Sequence, residues 1–244
     1  MTFLIVLLAL VLERFFHWHH LKYWRGCAVY ERAIGKRLGQ TVLSPALALI
    51  VIVAPPLLLL FLLSLGLSHV WHGLFFLVLN TVIVLYCLGS ENIWTEVAEG
   101  GVATTSERGE TLARAIFAAL NSRVFAVIFW FCLLGPIGAV LYRLVETTAK
   151  TGVKGAAMAD QASQLLDWLP IRVLTIFFAL AGHFTHVFSY WKHHVLGRPA
   201  TNHAFLTDCG IAALPESDIS EKTALALIDR ALVIGLVILA MLFC

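Results

Sequence analysis

The sequence predicts an all-α, polytopic integral membrane protein of four to six transmembrane helices with short amphipathic surface helices. Three observations carry this. Sixty per cent of the 244 residues are hydrophobic and only 13% are charged, whereas soluble domains run at about 45–50% and about 25%. The mean hydropathy is +0.87. From Leu38 to Ser90 there are 53 residues without one Asp, Glu, Lys or Arg, room for two spans at about 20 residues each. The bilayer is therefore the first expected partner, and a multi-pass place in a bacterial cytoplasmic (inner) membrane the expected location.

In chain order, residues 2–16 form a marginal first span. The first basic residue is Arg14, after the apolar run, so the segment reads as a retained span rather than a cleaved leader. Spans near 42–65 and 73–89 follow, broken at the Gly66, Ser68, His69, His72 and Gly73 cluster. Pro55-Pro56 lies inside the first of them and should kink it. Charge-free windows at Val124–Tyr142 and Val173–Trp191 predict spans near 124–142 and 171–190. The last, near 224–243, has Asp229 and Arg230 close to its start, and the residues beyond them alone are too few to cross. The whole, 1–244, reads as a single membrane domain.

Orientation follows from six basic residues between Arg14 and Arg37 beside Glu13 and Glu31, which predict a cytoplasmic segment over 14–41. Counting onward puts 90–123 and 190–223 on the same side, and 143–172 opposite. Within these segments, surface helices are expected on either side of Gly100-Gly101. One starts at a Thr104…Glu107 capping box and another at Ser217 or Ser220.

A formal charge of +2 supplies no field for nucleic acid. Five cysteines, at 27, 87, 132, 209 and 244, show no CxxC spacing, and the apolar ones read as packing groups. Phosphate-loop, dinucleotide, zinc-protease and serine-hydrolase motifs are absent from the sequence. No catalytic residue and no cofactor are assigned. The candidates for a polar site are ionisable and polar groups at span ends: Tyr142, Arg143, Glu146, Asp167, Arg172 and Asn202. Arg143 and Glu146 are one helical turn apart. Asp167, a helix N-cap candidate, precedes Pro170 as a first-turn residue and is the expected partner of Arg172. No metal site is assigned. The weak candidates are His183, His186 and His194, which share a helical face but lack a Cys or carboxylate to complete a ligand set.

Several segments resemble the AmpE family of inner-membrane regulatory signalling modulators, which is related to the membrane synthase of cobalamin biosynthesis. They are the opening VLLALVLERF, VIFWFCLLGPIGAVLYRL at 127–144, LLDWLPIRV at 165–173, NHAFLTDCGIAAL at 202–214 and ALALIDRAL at 224–232. The resemblance implies a role in beta-lactamase induction through sensing of cell-wall fragments. It further implies a cell-wall-derived or amphiphilic small-molecule ligand, with a membrane protein or a second copy as partner. The synthase's Glu-Asn pair and Asp-Gly fall on Ala118, Ala119, Ser122 and Arg123 here, its Asp-Asp on Ser163 and Gln164, and its Asn-Thr-Leu-Asp on Glu146, Thr147, Thr148 and Ala149. The reading that follows is a signalling modulator. The alternatives are a repurposed membrane enzyme of the cobalamin-synthase type acting on an amphiphilic substrate, and a small transporter.

Overall fold

A computed structural model describes residues 2–15, 34, 44–68, 73–88, 106–151, 155–215 and 219–243. Its described residues are helical, with no strand among them. The helices are α1 (Thr2–Phe15), α2 (Pro45–Ser68), α3 (Leu74–Cys87), α4 (Ser106–Leu120), α5 (Ala126–Leu134), α6 (Pro136–Lys150), α7 (Ala156–Ala181), α8 (Phe184–His194), α9 (Asn202–Ala213) and α10 (Glu221–Phe243). A π-helical turn, Asn121–Phe125, joins α4 to α5, and a 3-10 turn, Pro199–Thr201, leads into α9.

Four stretches are long and apolar enough to cross a bilayer: Pro45–Ser64, Gly109–Leu134, Ala156–Ala181 and Glu221–Leu242. The last, with its span expected near 224–243, starts at the Ser220 cap that the sequence offered. Ser220 receives the backbone N–H of Thr223 on Oγ, and Thr223 Oγ1 receives that of Ser220. This reciprocal cap starts the helix at Glu221 and gives it 23 residues. Helices α1 and α3 have 14 residues each, about 21 Å at 1.5 Å per residue, short of a hydrocarbon core of about 30 Å.

Two expected spans have different boundaries. The 124–142 window is two helices, because Gly135 turns with φ +67°, a region that favours glycine, and Pro136 then opens α6 at its first turn. The 171–190 window is also divided. Its helix starts at Ala156 and ends at Ala181. There Gly182 lies so close to α9 that a Cβ would stand 2.3 Å from the Ala213 carbonyl oxygen, and His183 donates its backbone N–H to that oxygen at 3.2 Å. Asp167 and Pro170, expected at a helix start, therefore lie inside α7. The Gly100-Gly101 break, Thr104, Ser217 and most of segment 14–41 fall outside the described residues.

The chain forms two compact units, one of 1–90 and 127–166, the other of 91–126 and 167–244. In the first, α1 packs on α3, and α2 and α3 pack on α6. Val53 of α2 meets Leu144 and Val145 of α6, with Leu49, Leu57, Val140, Leu141 and Leu166 around them. In the second, α9 and α10 pack on α4, and α8 packs on α9. The Phe117 and Phe178 rings lie 5.1 Å apart and those of Phe125 and Phe177 5.7 Å apart. Gly210 makes room for Phe117, whose ring a Cβ would approach to 2.5 Å.

Candidate functional site

All six polar candidates are buried: Tyr142, Arg143, Glu146, Asp167, Arg172 and Asn202. Burial of this kind is costly for an ionised group unless partners satisfy it, so the partners define what each can do.

In the first unit, α6 sets Arg143 and Glu146 on one face. Arg143 Nη1 donates to Glu146 Oε2 at 2.5 Å, and the exposed Lys150 donates to Glu146 Oε1 at 2.6 Å. One carboxylate thus bonds two cations. Thr147 and Thr148 return their hydroxyls to carbonyls one turn back on the same helix. On the neighbouring face, Val140 and Leu144 line a cleft of about 540 Å³ with Pro55, Pro56 and Leu59 of α2 and Leu79, Val82 and Ile83 of α3. Pro55 and Pro56 cannot donate to the carbonyls of Val51 and Ile52. The lining is almost wholly apolar, which suits a hydrocarbon portion of a ligand better than a polar one.

In the second unit, Asp167 does not pair with Arg172. Asn121, in the π turn, donates Nδ2–H to Asp167 Oδ1 at 2.8 Å, and Asp167 points from the interior of α7 where a helix start would have placed it as a cap. Arg172 is held instead by neutral acceptors. Its Nε donates to Val195 O at 3.0 Å, Nη1 to Trp168 O at 3.1 Å and to Asn202 Oδ1, and Nη2 to Gly197 O at 3.3 Å. The guanidinium carbon lies 4.6 Å from the Trp168 ring centroid and 5.0 Å from that of Phe205. Trp168 Nε1 donates to Gly197 O as well. One planar fork therefore ties α7, the 195–197 linker and the first residue of α9 together.

A second network went unread in the sequence. Arg114 of α4 bridges Glu110 at 3.0 Å and Asp208 of α9 at 2.5 Å, and also donates to Thr207. Tyr190 of α8 donates its hydroxyl to the other Asp208 oxygen at 2.9 Å. Burial, then this hydrogen bond, pushes the Tyr190 phenol up to about 12. Burial likewise raises the Cys209 thiol to about 12. The only sequence signal for this network was Asp208 inside the NHAFLTDCGIAAL segment. Asn121, directly after the apolar run AIFAAL, gave a similar unused signal.

Among the described residues no three His, Cys, Asp or Glu side chains are grouped to hold a metal ion. The His183 and His186 ring centroids are 5.9 Å apart. His194 stacks on Tyr190 and its Nδ1 lies 2.9 Å from the Tyr190 carbonyl oxygen, which only a protonated nitrogen can satisfy.

Fold and site together define an all-helical, multi-pass membrane protein with charged and amide groups sealed inside its helix packing. Sequence comparison narrows the kinship. The chain is 32% identical over 104 residues to the cobalamin biosynthesis protein CobD of Chromobacterium violaceum, covering 40% of this chain and 31% of that protein. It is 34% identical over 79 residues to the CobD of Stutzerimonas stutzeri, covering 30% and 26%. The matched part thus spans about a third or less of each relative's length. No protein-family profile and no solved structure matches. The similarity lies on the cobalamin side of the expected relationship and adds nothing specific to AmpE. The bacterial relatives agree with a multi-pass protein of the inner membrane.

Proposed function

We propose that the protein acts on an amphiphilic substrate in the manner of a membrane enzyme of the cobalamin-synthase type. The observation that carries this reading is the partial identity to two cobalamin biosynthesis proteins. The chemistry of the first unit supports it. An apolar cleft runs along α6, and on a neighbouring face of the same helix lie the buried Arg143–Glu146 pair and the exposed Lys150. An amphiphile with an anionic or carboxyl-bearing end would seat its apolar part in the cleft and its polar end toward the cations of α6. Tyr142 and Arg143 are the residues we assign to positioning, and Glu146 to holding Arg143 in its rotamer. Asp167, Arg172 and Asn202 are assigned to shaping the second unit.

A second reading, a regulatory modulator resembling AmpE, is favoured by one observation. The synthase's acidic positions fall on residues without a carboxylate, and Ser163 and Gln164 hydrogen-bond Asp160 of the same helix. Condensation supported by Mg-ATP draws on carboxylates to place the cation. A modulator needs a binding surface alone.

One experiment separates the two readings. The full-length protein in lipid nanodiscs is titrated with a corrinoid carboxylic acid and, separately, with an anhydro-muropeptide. Saturable corrinoid retention, weakened at least tenfold by Arg143→Lys in protein of unchanged thermal stability, supports the enzyme-type reading. Retention of the muropeptide alone supports the modulator.

A further inference from the structure

We propose that α8 (Phe184–His194) lies in the plane of the membrane interface, with an aromatic face in the acyl boundary and a histidine face toward the headgroups and water. At 100° per residue, Phe184, Phe188 and Trp191 fall within one narrow sector of the helix, while His186, Ser189 and His193 fall opposite. Phe184 and Phe188 are 49% and 47% exposed within the protein. Their rings stack at 5.4 Å, and Phe188 stacks on Trp191 at 6.2 Å. Such a continuous aromatic stripe is too large to be left in water without reason.

The helix is seated by a third sector. Val187 is buried, and Tyr190 stacks on Phe205 and bonds Asp208 of α9. The protein therefore holds α8 by its flank and leaves the histidine face, and Phe184 and Phe188 of the aromatic face, exposed, while Trp191 is half-buried. The aromatic face is not the one α8 uses to pack on α9.

Continuity with α7 identifies the occupant. That helix is a 26-residue candidate span ending at Ala181, so Phe184, three residues on, lies within about 11 Å of the point where it ends. A helix of 11 residues is about 16 Å long and cannot cross a core of about 30 Å. A short helix tethered at a span end, aromatic on one side and polar on the other, matches the chemistry of the bilayer interface, where amphipathic rings sit at headgroup level. Lys192 lies at the border of the two faces, where its ammonium can reach lipid phosphates while its stem stays apolar.

Nitroxide depth measurement tests this. Phe188→Cys and His193→Cys are made one at a time in a full-length chain whose native cysteines are replaced, and each is labelled in phosphatidylcholine–phosphatidylglycerol nanodiscs. The expected result is that the label at 188 is relaxed mainly by oxygen and that at 193 mainly by a water-soluble nickel chelate. Equal access of both labels to nickel would overturn the proposal in favour of an open face, and low access of the 188 label to both relaxants would overturn it in favour of a protein-covered one. Equal oxygen preference would overturn it in favour of insertion. The unaltered protein offers a control on folding. Headgroup-proximal brominated lipid should quench its tryptophan emission, and Trp191→Phe should lower the quenched fraction; an unchanged fraction counts against the proposal.

Discussion

Trp130 donates its indole N–H to the carbonyl oxygen of Leu166 at 3.2 Å, the oxygen that would receive the backbone N–H of residue 170 if that residue were not proline. Proline inside α7 is thus compensated from α5. Trp130→Phe should lower stability by about 1 kcal/mol, the net worth of a typical intramolecular hydrogen bond. In that background Pro170→Ala, which restores the missing donor, should recover more stability than it adds to the parent protein. Thermal unfolding of the four proteins in one detergent gives the coupling; simple additivity would show that the indole bond is incidental.

Arg143 and Glu146 should be mutually dependent. Removing Arg143 leaves the buried Glu146 carboxylate reliant on the exposed Lys150, and loss of one member of a buried pair typically costs about 3–5 kcal/mol. Arg143→Ala or Glu146→Ala should therefore sharply reduce the amount of folded protein. Lys150→Ala, whose side chain is 69% exposed, should cost no more than about 1 kcal/mol. Fluorescence-detected size exclusion of the three variants is sufficient to rank them.

Arg172→Lys should not be conservative. A single ammonium cannot reproduce donation to Val195 O, Trp168 O, Gly197 O and Asn202 together, nor stack on Trp168 and Phe205. The 195–201 linker should become susceptible to limited proteolysis in Arg172→Lys while remaining resistant in the parent. Equal digestion rates would remove the guanidinium from this role.

The alkaline limb of stability should depend on Tyr190. Its phenol titrates near 10 when unfolded and about 12 when folded, so the folded state binds the proton more tightly. The stabilisation is complete below the lower value and is lost as pH rises through the higher one. Helix content followed by circular dichroism should fall at lower temperature at about pH 11 than near neutrality. Tyr190→Phe should show a smaller pH difference.

Composition and charge-free windows made the fold class legible, because backbone satisfaction in lipid leaves few choices once the chain is apolar enough. The break near residues 65–73 and the Arg143–Glu146 pair were legible for local reasons: a cluster of small and polar residues, and a one-turn spacing. The boundaries at Gly135 and Gly182 were not. Each is a turn inside a hydrophobic window, set by backbone conformation or by the approach of another helix, and hydropathy does not register either. The Asp167–Arg172 pairing failed for a related reason. Neighbours in sequence within a helix start became residues on different faces of a helix interior, and their partners, Asn121 and Asn202, came from 46 and 30 residues away.

The π turn at Asn121–Phe125 bears on how this chain should be aligned. A π turn accommodates one residue more than an α-helix of the same span, so a homologue with an uninterrupted helix would require a single-residue gap there. With that gap placed inside the turn, the synthase's acidic position that falls on Ser122 moves back by one residue onto Asn121, whose amide is already bonded to Asp167.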